Sequence, residues 1–158
     1  NAAEGENYGL ELNLNSDLSD DLDIFVNLGL LNTEIKSWES RPEIEGREQA
    51  HAPSNSYSFG LNYRPTPVTY LNLHATGKSG FYYSDSHNNK SDSYILLNSS
   101  FGYNYEDWVV ELWVRNLFDE YYATRGFYFG NEAPDFADTL YERHGDPRHF
   151  GLSIRYDF

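Results

Sequence analysis

Apolar and polar residues alternate with a period of two in seven separate runs of this chain, and helical periodicity is absent almost everywhere else. The last run, HFGLSIRYDF, sets Phe150, Leu152, Ile154, Tyr156 and Phe158 against His149, Gly151, Ser153, Arg155 and Asp157. The other six are NYGLELNLN, DLDIFVNLGLLN, SYSFGLNYR, VTYLNLHATGK, SYILLNSSFGYNY and DWVVELWVRN. Successive side chains of a strand point to opposite faces, so each run describes a strand with one apolar and one polar face.

The connections between runs alternate short and long. A short SDLSDD turn follows the first run, and a long loop of about residues 37–53 follows the second. Next come a tight RPTP turn, a medium loop at 84–92, a tight YEDW turn and the longest loop, about 126–147. An up-and-down meander with its two ends in different surroundings has this pattern, as in outer-membrane barrels with short periplasmic turns and longer extracellular loops. Sandwiches mix lengths at both ends. Aromatic residues also fall at two levels. Tyr63, Tyr103, Tyr105, Trp108, Tyr156 and Phe158 lie near short turns, while Phe81, Tyr82, Tyr83, Tyr121 and Tyr122 lie where strands approach long loops, as two membrane girdles would. The expected fold is all-β: an antiparallel, up-and-down portion of a transmembrane β-barrel. It is incomplete, because closure needs about eight strands.

Composition narrows the function. With 11 basic and 25 acidic residues the formal charge is −14, which argues against nucleic acid as a partner. There is no Cys, so disulfides, thiolate metal sites and thiol nucleophiles are ruled out. No window approaches the roughly 18–20 apolar residues of a spanning helix. The mean hydropathy of −0.68 does not count against a barrel, half of whose strand residues face a polar lumen. The chain has no Met and no leader-like opening, so a fragment or processed product is expected. A second architecture also accommodates the strands: a secreted, soluble β-sandwich that binds glycans through exposed aromatics, with Trp113 or Trp38 against the sugar.

Residues 115–122 read RNLFDEYY. The segment Asn116, Leu117, Phe118, Asp119 and Tyr122, followed by a long loop and a final strand ending in Phe158, resembles the C-terminal region of TonB-dependent outer-membrane receptors. EGENYGLELNL near the start resembles a strand of the same receptors. The resemblance implies a barrel of about 22 strands closed by an N-terminal plug. Residues 1–158 would be its C-terminal part, with the plug absent from this chain. It implies uptake of a scarce nutrient, such as a ferric siderophore or another metal chelate, energised by TonB acting through the plug. The implied location is the outer membrane of a Gram-negative bacterium, with lipid and lipopolysaccharide as surroundings. No cofactor and no enzymatic activity are implied. Ile154, Tyr156 and Phe158 resemble the signal read by the outer-membrane barrel assembly machinery.

The site candidates follow from position. In the longest loop Tyr128, Phe129, Phe136, Tyr141, Arg143 and His144 are the ligand-facing candidates, alongside Glu132, Asp135, Asp138, Glu142 and Asp146. Those carboxylates lack the ligand spacing of a calcium loop, and no metal site is expected. The segment SDSHNNKSD reads as a polar hairpin tip, since Lys90 would repel a cation held by Asp85, His87 and Asp92. Parity places His74, Lys78, Arg115 and Arg155 on the lumen side, either contacting a plug or an anionic ligand, or forming a polar ladder across the wall. His144, Asp146 and His149 lie close in sequence without a nucleophile motif, so no catalytic residue is expected.

Overall fold

Each of the seven alternating runs forms a strand of one sheet. The computed structural model describes residues 3–158. Its strands are β1 (Glu4–Ser19), β2 (Leu22–Ser37), β3 (Asn55–Thr66), β4 (Thr69–Lys78), β5 (Tyr94–Tyr105), β6 (Trp108–Arg115), β7 (Ala123–Gly130), β8 (Asp138–His144) and β9 (His149–Tyr156). The large sheet has the order β1-β2-β3-β4-β5-β6-β9, every pair antiparallel, and it is not closed. β7 and β8 form a separate hairpin inside the longest connection, where the alternation predicts only a loop. The sheet strands are joined at one end by the turns at 20–21, 67–68 and 106–107, and at the other by the long segments 38–54, 79–93 and 116–148. The expected alternation of connections is thus present. The one helical element among the described residues is a 3₁₀ turn at Pro42–Ile44, and no helix there is long and apolar enough to cross a membrane.

Register shows why the two faces differ. Directly paired residues share a face. One row across six strands reads Leu22, Tyr63, Leu71, Phe101, Leu112 and Leu152. The next row, one residue along, reads Asp23, Asn62, Asn72, Ser100, Trp113 and Gly151. The apolar row has no packing partner: Leu112 is 59% exposed and Leu152 56%. An uncovered apolar face of this extent is an aggregation liability in water and a solvation surface in lipid. A soluble sandwich would cover it with a second sheet about 10 Å away, and none is there among the described residues. The glycan-binding alternative therefore has no architectural support.

The polar face is held by cross-strand side-chain bonds. Asn27 Nδ2 donates to Ser58 Oγ (3.0 Å), Asn72 Nδ2 to Ser100 Oγ (3.1 Å), Tyr70 Oη to Glu111 Oε2 (3.0 Å) and Trp113 Nε1 to Ser153 Oγ (3.1 Å). Large rings on this face lie across directly paired glycines: Phe25 on Gly60, Tyr70 on Gly102, Trp113 on Gly151. A Cβ at any of the three would fall inside the ring it faces. Phe25 breaks the alternation of its run for this reason: it fills the space a glycine leaves on the neighbouring strand.

The buried core sits at the long-loop end. Among the described residues the buried hydrophobic side chains are Ile35, Ile44, Phe81 and Tyr83 there, and Ala75 in the sheet interior. Of the aromatics expected as an upper girdle, Phe81 and Tyr83 belong to this core, Tyr82 and Tyr122 are half-buried and Tyr121 is exposed. Phe81 and Tyr83 pack edge to face with centroids 5.8 Å apart, and Tyr122 packs on Tyr94 at 4.5 Å. At the short-turn end Trp108, Tyr156 and Phe158 are in consecutive ring contact, with centroids 4.7 and 5.1 Å apart.

Candidate functional site

The long-loop end is built around three structural ties. The first is Arg47, in the segment joining β2 to β3. β2 outruns β3, which pairs only as far as Leu30, and the loop returns along the free edge: Ile35 N donates to Arg47 O (2.9 Å) and Gly46 N to Ile35 O (2.8 Å). That fold delivers the Arg47 guanidinium, almost fully buried, into the β4–β5 loop. There it donates to the carbonyls of His87 (2.9 Å) and Ser84 (3.1 Å) and to Asn88 Oδ1 (2.8 Å), and it pairs with Asp85 (3.4 Å). Its Cζ lies 4.4 Å from the Tyr82 ring centroid. Arg41 also donates to the Asp85 carbonyl, and Lys90 pairs with Glu48 at 2.7 Å. The polar tip expected at 84–92 is therefore ordered by cations from the neighbouring loop. Replacing Arg47 with Met should cost about 3 kcal/mol, since several polar acceptors lose a buried charged donor. Limited proteolysis would read this as new cleavage within 84–92.

The second tie is the Asn116 turn. β6 ends at Arg115, and Asn116, buried at 4% exposure, takes φ 50°. Its Nδ2 donates to the carbonyls of Glu120 (2.9 Å) and Asp146 (3.2 Å), and its Oδ1 accepts from Glu120 N (2.8 Å). Asp119, at φ 57°, accepts from Arg148 N at 2.7 Å. Both left-handed positions hold Asn or Asp, the residues that tolerate that region best after glycine. Leu117 N bonds to Leu97 O at 2.7 Å, while Phe118 is exposed. Tyr122 covers Gly145, whose N donates to Tyr122 O at 3.0 Å. The motif residues thus form a clasp joining both ends of the β7–β8 excursion to the sheet.

The third tie docks the hairpin. Gly126 lies on the Tyr83 ring, Tyr128 faces His87 at 5.5 Å, and the Tyr83 hydroxyl donates to Glu142. Burial, reinforced by that carboxylate, pushes the Tyr83 phenol well above its ordinary range, so it remains a donor. Burial and, secondarily, the Arg47 charge hold His87 below the usual imidazole range. Between hairpin and loops is a cavity of about 370 Å³, lined by His51, Tyr83, Ser84, Ser86, His87, Arg125, Gly126, Phe127, Tyr128 and Phe129.

Two of the ligand-facing candidates, Tyr128 and Phe129, line this cavity; the others are placed elsewhere. Phe129 also packs on Tyr141 (5.2 Å), whose hydroxyl donates to Glu132 (3.2 Å). Phe136 stands exposed at the hairpin tip. His144 stacks on Tyr121 at 4.0 Å, and Arg143 pairs across the hairpin with Arg125. The alternation and the loop lengths do not reveal His51, His87 and Arg125 as lining residues, because three separate segments bring them together. Among the described residues no group of three His, Cys, Asp or Glu could hold a metal ion.

All four lumen-side candidates share the polar face. Lys78 lines a groove of about 550 Å³ with Glu11, Tyr94, Tyr122 and Thr124, its Nζ 4.4 Å from the Phe81 centroid. His74 and Arg115 line a second cavity of about 280 Å³ with Glu111 and Trp113. Arg155 lies at the short-turn end, 3.4 Å from Asp157. The polar ladder exists, but it is made by the Asn, Ser, Tyr and Trp bonds above, with none of these four in it.

The two-faced open sheet, with ordered loops at one end only, has a counterpart among known families: the sequence model of the TonB dependent receptor-like β-barrel matches residues 1–117. The chain belongs to the TonB-dependent receptor β-barrel family. Solved structures extend the likeness over its full length. The siderophore receptor PiuA from Acinetobacter baumannii is 19% identical with a TM-score of 0.83, over 99% of this chain and 22% of that receptor. The ferric yersiniabactin uptake receptor FyuA from Yersinia pestis is 20% identical with a TM-score of 0.84, over 100% and 24%. The ferric citrate transporter FecA is 18% identical with a TM-score of 0.71, over 97% and 25%. At these identities the structures establish the fold. The TonB-dependent barrel chain described here spans a quarter or less of each receptor's length, and it includes the 116–122 clasp, only the start of which lies within the family match.

Proposed function

We propose that this chain is the C-terminal barrel portion of an outer-membrane receptor that imports a ferric siderophore or another metal chelate, energised by TonB. The observation that carries the reading is the pair of adjacent register rows, one wholly apolar and the next mainly polar, in a sheet of the family fold. Strands β3, β4 and β5 have 12, 10 and 12 residues, matching the roughly 9–11 tilted residues that cross a bilayer. On this reading the long-loop end is extracellular, the polar face lines the lumen, and a plug supplied by another part of the protein carries the TonB contact. The wall gives the ligand a polar path, and the loops meet it first. The named ligands of PiuA, FyuA and FecA support the substrate class.

Fractionation of a Gram-negative host tests the placement: the full-length receptor should be recovered in outer membranes, and recovery in cytosol or free periplasm would overturn it. Deleting its gene should abolish uptake of one ferric chelate under iron limitation. Placing Arg at Leu112 on the lipid side should cost about 2–4 kcal/mol in bilayer stability, measured by unfolding in vesicles. Arg at Ser100, on the lumen side, should cost far less. The final strand serves as an assembly address in this reading, through Ile154, Tyr156 and Phe158. Phe158→Asp should lower the surface level of the full-length receptor, and an unchanged level would remove that role.

A further inference from the structure

The β7–β8 hairpin separates its charges by face. Pairing puts Gly126, Tyr128, Gly130, Asp138, Leu140 and Glu142 on one side, the side seated on Tyr83 and His87. The other side carries Arg125, Phe127, Phe129, Thr139, Tyr141 and Arg143, and its β7 residues also border the cavity between the hairpin and the loops. Arg125 and Arg143 are direct cross-strand partners, an arrangement in which like charges destabilise a sheet. Neither is in any of the ion pairs among the described residues, although acidic residues outnumber basic ones 25 to 11. Beside them Phe127 and Phe129 are 52% and 46% exposed. The carboxylate that approaches this side is Glu132, held at the tip by the Tyr141 hydroxyl.

We propose that the Arg125–Arg143 side of the hairpin recognises an anionic aromatic metal chelate, and that the receptor prefers such a ligand to a neutral one. The inference rests on the reading of the chain as part of a metal-chelate receptor, and it narrows the substrate class. Two arginines at directly paired positions can present their donors together to acidic oxygens, and a doubly charged anion offsets their mutual repulsion. Phe127, Phe129 and Tyr141 offer faces to aryl rings. On the opposite side Glu142 is engaged by the Tyr83 hydroxyl, and pairing sets it and Asp138 facing away from the two arginines.

The test uses the full-length receptor in detergent, with tryptophan quenching as readout and two probes: the anionic ferric complex of dihydroxybenzoate and a neutral ferric trihydroxamate. The anionic probe should bind, more weakly as salt rises, and Arg125→Gln with Arg143→Gln should weaken it by about ten-fold per guanidinium. Arg125→Lys with Arg143→Lys should restore part of the loss. Both pairs of changes are on exposed side chains, and trypsin resistance of the barrel checks folding. Equal binding of the anionic probe by wild type and the Gln variant would overturn the inference while leaving the uptake role standing. So would binding of the neutral probe alone. Binding of neither would also overturn the inference, while the ferric-chelate reading stands or falls separately on the uptake experiment.

Discussion

Replacing Asn116 with Ala should loosen the whole 116–148 excursion while the barrel strands stay intact. The side chain makes three hydrogen bonds from a site 4% exposed, reaching Glu120 and Asp146 on the two arms of the excursion. Ala leaves those backbone groups unpaired and forces a Cβ residue without a local acceptor into φ 50°, where Asn is tolerated best after glycine. Together the lost bonds and the backbone strain amount to roughly 3–5 kcal/mol. Limited proteolysis of the full-length receptor should show cleavage within 116–148 at protease levels that leave wild type whole. Asn116→Gly separates the contributions: it relieves the backbone strain and keeps the hydrogen-bond loss, so it should fall between the two. Wild-type resistance in the Ala variant would show that Tyr122 on Gly145 and Arg148 on Asp119 suffice for the clasp.

The second large effect is expected at Gly102. Its Cα faces Tyr70, and that ring cannot swing away without giving up the hydroxyl bond to Glu111 at 3.0 Å. Gly102→Val puts three carbons where the ring lies, on a buried position of a central strand. Overpacking of this kind typically costs ~1–3 kcal/mol, and the tethered ring puts the site at the upper end of that range. Folded barrel should fall, measured as the heat-modifiable band on unboiled gels. Tyr70→Ala in the same chain should recover much of it, since it removes the clashing ring. The strain is then a coupling between two residues, which a double-mutant cycle isolates. An additive result would place the damage in the β-strand backbone instead.

The same physics explains which features are legible before folding. Seven strands, their order and the end that carries long loops can be read because each strand contacts two different surroundings, and a period of two records that directly. The β7–β8 hairpin cannot. In RGFYFG, Phe127 and Phe129 alternate with Tyr128, so aromatics occupy both faces and the alternation blurs. Only docking on Tyr83 and His87 makes the two sides different. Phe81 and Tyr83 read as girdle residues for a related reason: an aromatic near a strand end has the same local signature whether it meets lipid or a folded loop. Of the site candidates, Tyr128 and Phe129 reach a shared cavity, and their partners His51, His87 and Arg125 come from distant segments.

What the amino-acid order determined by itself was solvation: which residues of each strand meet an apolar surrounding, and where the chain must turn. Those are local properties, written in two-residue periods and in the segments that interrupt them. The tertiary structure decided the pairings that span tens of residues. These include Arg47 in the β4–β5 loop, rings seated on the glycines of adjacent strands, and two arginines set opposite each other on one side of a hairpin. Such contacts depend on register and on the path of each loop, and long-range packing alone selects them.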